Sequence, residues 1–169
     1  MSRTALLLLL VCRTWAAEPE PHIKAAAAAF TDGQLAVRER HLDEAVDLFK
    51  KVIDVEPTFT DAYRALAHAY LDSGQRLKAG EMITRLLQIE PNDVRWRLTL
   101  GHVLLDEKQW NRALAQFTLC LRSEPVNADA LYGFAVAAKQ VGMADRATQA
   151  LERGRRQYPA DERFKTNGP

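Results

Sequence analysis

The chain has 169 residues, a formal net charge of +1, 47% hydrophobic and 27% charged residues, a profile that excludes a disordered or collagen-like polypeptide and fits one soluble globular domain. The near-neutral balance lacks the basic excess that binding a phosphate backbone requires, so nucleic acid is not the expected partner.

The N-terminus has its own logic. Met1-Ser2-Arg3 is a short basic start, Ala5 to Cys12 is an unbroken apolar run, and Arg13-Thr14-Trp15-Ala16-Ala17 ends in small residues. The apolar run is far shorter than the about 20 residues a membrane-crossing helix needs. The three parts together predict a secretory signal over residues 1–17, cleaved after Ala16 or Ala17. Export to the periplasm or the extracellular space is therefore expected, with no stable membrane insertion after cleavage. Residues 18–25, with Glu18-Pro19-Glu20-Pro21, read as a linker. Cys12 stands where a lipoprotein signal places its acylated cysteine, but such signals want a small residue before it and here the neighbour is Val11. With the signal removed Cys120 is the remaining cysteine, so no internal disulfide can form and stability must come from packing.

From residue 26 onward a fixed period governs the chain. Pro57, Pro91, Pro125 and Pro159 are spaced 34 residues apart, and the same step aligns Ala45, Ala79, Ala113 and Ala147, then Phe49, Ile83, Phe117 and Leu151, and the small series Gly33, Ala67, Gly101 and Ala135. Within each unit apolar residues recur at three- and four-residue steps on either side of a central break, predicting two amphipathic helices of about 13 residues joined by a turn. In the second unit Tyr63, Leu66, Ala67 and Tyr70 share one face, Asp72-Ser73-Gly74 turns the chain, and Ala79, Ile83, Leu86 and Leu87 share the next. Proline closes the unit because it cannot continue the helical ladder and disfavours a helical residue before it. Thr60, Asn92 or Asp93, Asn127 and Asp161 are the expected N-caps of the helix after each proline. The small columns mark where two helices cross, since Gly or Ala lets the axes approach. The last turn of the second helix changes from Val52, Ile53 and Val55 to Gly154, Arg155 and Gln157, so the fourth unit is expected to serve largely as its own cap.

These residues resemble the tetratricopeptide repeat family, whose 34-residue unit pairs two antiparallel helices with a small residue in the first, an alanine in the second and a closing proline. The resemblance implies an all-α, right-handed α-solenoid of four repeats at 26–59, 60–93, 94–127 and 128–161, with a C-terminal tail at 162–169. The first unit departs most, with Ala29, Asp32 and Ala36 where large apolar residues are usual, and Arg97 occupies a slot normally aromatic, beside Trp96. The family's first helices line the concave side and hold a peptide. Column by column that groove would comprise Phe30, Arg64, Leu98 and Tyr132; Gln34, His68, His102 and Val136; Asp61, Arg95 and Asp129; and Val37, Leu71, Leu105 and Lys139. Leu98, Leu105 and Tyr132 would be apolar anchors, and Arg64 and Arg95 donors to a carboxylate or backbone oxygen. Members that clamp the carboxylate tail of cytosolic chaperones carry a lysine and asparagine set, and no asparagine stands in these columns.

Catalytic signatures are missing: there is no G-x-S-x-G, G-x-G-x-x-G, P-loop, H-E-x-x-H or C-x-x-C. No enzymatic activity, cofactor or metal is therefore expected. Cys120 shares a column with Val52, Leu86 and Gly154 and reads as a small buried hydrophobe, and Trp110 as core. The most chemical pattern is His68 and His102, one period apart, each with an aspartate four residues later, Asp72 or Asp106. His and Asp at that spacing share a helix face; together they form an inventory that could hold zinc or copper, though repeats carry matching residues without any metal. The sequence therefore points to a non-catalytic adaptor of the cell envelope that binds a segment of another protein. The alternative is a structural repeat protein that self-associates, as a homodimer for example, through Ala147, Ala150 and Leu151.

Overall fold

The computed structural model describes residues 20–165, all helix and turn. Eight helices form four antiparallel hairpins: α1 (Pro21–Arg38) with α2 (Leu42–Val55), α3 (Thr60–Asp72) with α4 (Arg76–Ile89), α5 (Val94–Asp106) with α6 (Trp110–Ser123), and α7 (Ala128–Gln140) with α8 (Ala144–Gln157). A short helix α9 (Glu162–Lys165) comes last. Helix boundaries repeat with the sequence period: second helices open at 42, 76, 110 and 144, and from α3 on first helices open at 60, 94, 128 and 162. The expected signal at 1–17 lies outside the described residues.

α1 departs from the expected plan. It spans 18 residues and starts at Pro21, inside the stretch whose sequence reads as a linker. Proline costs nothing at the first helical position, where its missing N–H would find no partner anyway. Ala25 to Ala29, of the highest helix propensity, carries the helix on. The capping columns are sharper than the sequence allows. Asp93 and Asn127 accept from the backbone N–H of Trp96 at 3.1 Å and Ala130 at 2.9 Å, and Asp161 accepts from Arg163 at 3.0 Å. Thr60 is not a cap; it is already the first helical residue, and the cap position belongs to Phe59, which has no acceptor and packs edge-on against Phe30.

Each hairpin turns the same way. The N-cap residue of each second helix returns its N–H to a carbonyl five residues back, His41 to Ala36, Gln75 to Tyr70, Gln109 to Leu104 and Met143 to Ala138, all at 2.8 Å. That closure forces a left-handed residue just before it: Arg40 (φ 65°), Gly74 (φ 74°), Lys108 (φ 56°) and Gly142 (φ 80°).

The helix crossings show the same alternation of units. Gly33 faces Phe49 and Gly101 faces Phe117, and a Cβ on either glycine would lie 2.7 Å from the ring. The other two crossings pair Ala67 with Ile83 and Ala135 with Leu151, all buried. Small-with-large and medium-with-medium pairs fill the same space, so helix separation is conserved while composition changes. Phe117 also meets α7, because a Cβ on Gly133 would overlap its ring more closely still. Two buried clusters, one in the first two hairpins and one running from the second hairpin to α9, share Ile53 and Met82 at their border, so one core runs the length of the array. Each fully buried Leu, Ile or Phe in it contributes about 1.5–3 kcal/mol.

Contacts between hairpins run from each second helix to the next first helix, and the first helices α1 and α3, and α5 and α7, also meet directly. Second helices do not pack on one another to the same degree. First helices therefore line the inner side, and the outer side is opened by clefts between second helices.

The expectation that the fourth unit caps itself needs correction. Gly154 ends in contact with Phe164 of α9, whose ring occupies the place a Cβ would take. Phe164 is fully buried, against Tyr132 at 6.2 Å and Tyr158 at 6.3 Å between ring centroids. Arg155 donates to the Phe164 carbonyl at 2.9 Å and Arg163 reaches Asp129 at 2.7 Å. The polar last turn of α8 is a dock for residues 162–165, which are thereby part of the fold and not a tail. Ala147, Ala150 and Leu151, the expected self-association face, are buried within the chain.

Candidate partner-binding surface

The inner face is built from one row of each first helix. The structure places Phe30, Leu98, Leu105, Leu71 and Tyr132 half-buried in it and Gln34, His68, Arg95 and His102 exposed. Phe30 at one end lies 5.7 Å from Phe49 and 5.1 Å from Phe59. Tyr132 at the other end is roofed by Arg163, 5.6 Å from its ring centre. The middle of the row, on α3 and α5, is the open part.

The two arginines predicted as donors differ. Arg64 is committed within the fold: its guanidinium bonds Thr60 Oγ1 at 2.9 Å, Asp61 at 3.0 Å and Glu90, and lies 3.7 Å from Asp93. Glu90 and Asp93 belong to the turn that starts the third hairpin, so Arg64 fastens two hairpins together and is a poor donor to a ligand. Arg95, in the next hairpin, is exposed and makes no ion pair among the described residues. Its row neighbours Asp61 and Asp129 are taken by Arg64 and Arg163. Arg95, Leu98, His102 and Leu105 succeed one another at three- and four-residue steps, so one stripe of α5 offers a free cation, two apolar side chains and an imidazole.

Each histidine rests on an aromatic ring of a neighbouring helix: His68 on Trp96 at 4.8 Å and His102 on Phe117 at 5.3 Å. Desolvation lowers the His102 pKa, opposed by Asp129 and Asp106. Asp106 turns to Arg76 at 3.2 Å. Among the described residues no three His, Cys, Asp or Glu gather closely enough to hold a metal ion. Cys120 is fully buried and burial pushes its thiol up to about 11, which keeps it protonated and inert. Trp96 is buried while Trp110 is half-exposed at the start of α6. Arg97 has a role the sequence hides: it donates to the Pro91 carbonyl, and Tyr63, one period earlier, donates to the Pro57 carbonyl at 3.0 Å. A guanidinium thus takes the place of a phenol in the same bond. Among the described residues, no helix is long and apolar enough to cross a membrane.

Known proteins share this architecture. The family profile described as "Tetratricopeptide repeat" matches residues 36–103 and 104–166, most of the chain. The chain belongs to the tetratricopeptide repeat family. A human relative, tetratricopeptide repeat protein 6, is 28% identical over 108 residues, 62% of this chain and 21% of its own length, so the chain spans about a fifth of that relative. Among solved structures, a crystal structure of MamA superposes with a TM-score of 0.77 at 19% identity, covering 85% of this chain and 79% of MamA. YrrB, described as a tetratricopeptide repeat protein with an unusual peptide-binding site, superposes with a TM-score of 0.71 at 25% identity, over 83% of this chain and 72% of its own. Tetratricopeptide repeats are a non-catalytic scaffold family.

Proposed function

We propose that this chain is an exported adaptor of the cell envelope, and that it holds a segment of a partner protein on the inner face of its first helices. The observation that carries the reading is the α5 stripe. Arg95 lacks an ion pair among the described residues while both its row neighbours have one, and Leu98 and Leu105 are left half-exposed beside it. A guanidinium with no internal partner beside two apolar positions fits a polypeptide that offers a carboxylate or carbonyl oxygen flanked by apolar side chains. The peptide-binding site named for YrrB, on a superposable fold, supports the use of this scaffold for a peptide. The basic start, apolar run and Ala16-Ala17 support export.

The test is site-specific photocross-linking in the native cell from position 102, read with and without Arg95→Glu. One discrete adduct that disappears in the variant is expected. An adduct of unchanged yield in Arg95→Glu, or cross-linking to nothing, overturns the reading. Export is checked on the same material: the mature chain should begin at residue 17 or 18, and an N-terminus at Met1 would refute it.

A further inference from the structure

The outer clefts open between successive second helices at equivalent places in successive units, and their charge differs. The cleft between α4 and α6 has a volume of about 450 Å³ and is balanced, with Glu81 and Glu107 offsetting Arg85 and Arg112. The next, between α6 and α8 over α7, has a volume of about 470 Å³ and is lined by Arg122, Arg146, Arg153 and Arg156 with no acidic residue. Thr84, Gln88, Leu100 and Arg112 of the first cleft recur one period on as Thr118, Arg122, Phe134 and Arg146 of the second, whereas Arg153 and Arg156 have no counterpart in the first. One period before Arg122 stands Gln88, and one period before Arg153 stands Leu119.

All four arginines are exposed, and none makes an ion pair among the described residues. Arg146 stacks 5.4 Å from the centre of Phe134 and contacts Met143 Sδ at 3.7 Å. Arg156 makes one long bond, 3.4 Å, to the carbonyl of Glu152 on its own helix. α6 carries no carboxylate along its whole length, and on α8 the two acids, Asp145 and Glu152, do not line the cleft. Four cations are thus held around a floor that includes Leu131 and Phe134, with no carboxylate among the described residues placed to neutralise them. Arginine in this setting selects oxyanions, by its planar fork of donors and its weak hydration.

We propose that the α6–α8 cleft is a second docking site, for an acidic segment of another polypeptide, with carboxylates on the arginine rim and an apolar side chain beside the half-buried Leu121 of the lining. The shape favours a polypeptide over a lipid surface: a planar bilayer would reach the rim and leave the cleft itself unfilled. It favours a carboxylate-bearing chain over nucleic acid because Leu121 gives the lining an apolar side and the chain as a whole has a net charge of only +1. The site stands apart from the inner face and does not depend on what binds there.

The probe is a fluorescein-labelled synthetic peptide with glutamate and leucine at helical spacing, titrated into the full chain and monitored by anisotropy. Its glutamine-for-glutamate counterpart, phosphatidylglycerol vesicles and a single-stranded oligonucleotide are the other arms. The acidic peptide should bind, weaken as salt is raised, and lose about tenfold or more in affinity in Arg122→Glu/Arg153→Glu. The same loss should follow in an Arg95→Glu background, where the charge of the inner face is reversed, separating this site from the proposed inner groove. Arg122→Gln/Arg153→Gln should show an intermediate loss, and circular dichroism melting should show all variants folded. Binding that is equal for the glutamine peptide, unaffected by Arg122→Glu/Arg153→Glu in the Arg95→Glu background, or stronger to vesicles or oligonucleotide than to the acidic peptide overturns the proposal.

Discussion

Replacing Gly133 by alanine places a methyl group into the ring of Phe117. The added Cβ would fall well inside 3.0 Å of three ring atoms. The ring has no retreat: its side chain is fully buried, a Cβ on Gly101 of α5 would itself lie 2.7 Å from it, and His102 stands across it at 5.3 Å. Overpacking of this kind costs about 1–3 kcal/mol, and so tight a site belongs at the upper end. Alanine returns about 1 kcal/mol of helix propensity, leaving a net loss of about 2 kcal/mol, or about 4–8 °C in Tm for a chain of this size. Gly80→Ala is the control with opposite sign. Its nearest neighbour would be Val103 Cγ1 at 3.4 Å, an ordinary contact, so the propensity gain stands alone and Tm should rise by about 2–4 °C. Thermal unfolding monitored by far-ultraviolet circular dichroism decides both, and Gly133→Ala/Phe117→Leu should recover much of the loss. A Gly133→Ala protein that melts at or above the wild-type temperature would refute the packing argument.

Three other outcomes are expected. Lys108→Gly should stabilise the array by about 1 kcal/mol, since Lys108 holds a left-handed φ of 56° that glycine adopts without strain; Gly142→Lys should do the reverse, and denaturant titration would show either. The His102 pKa is lowered in the fold by desolvation from its ordinary 6.5, so its contribution to stability is complete above that value and is lost as pH falls through the folded pKa. The Tm difference between wild type and His102→Gln should therefore change on acidification, and parallel Tm curves across that range would count against it. Cys120 should resist iodoacetamide at neutral pH in the folded chain and react once denaturant is added, as mass spectrometry would report; rapid labelling of the native protein would contradict its burial.

Most of the scaffold is legible in the sequence because its determinants are local and periodic. The four prolines, the small columns and the three- and four-residue apolar steps define hairpins without knowledge of tertiary contacts. The features that escape the sequence depend on partners far along the chain. Arg64 reads as a ligand donor because Glu90 and Asp93, which claim it, lie in the next turn. Phe164 reads as tail although it stands one period after Ala130, where a large ring docks on Gly154. The left-handed positions at Arg40 and Lys108 give no signal because neither is glycine. The α6–α8 cleft is hidden for a different reason: Arg122 and Arg146 lie on separate helices, and only the splay of the second helices brings them to one cleft.

The alternating fit at the helix crossings also bears on how such an array can lengthen or shorten. A glycine-for-phenylalanine hairpin with a strained turn sits beside an alanine-for-isoleucine or alanine-for-leucine hairpin with a relaxed one. Excising a single hairpin would join two neighbours of one kind, whereas excising or copying a pair preserves every existing junction. The alternation survives a change of length only when hairpins are added or removed two at a time.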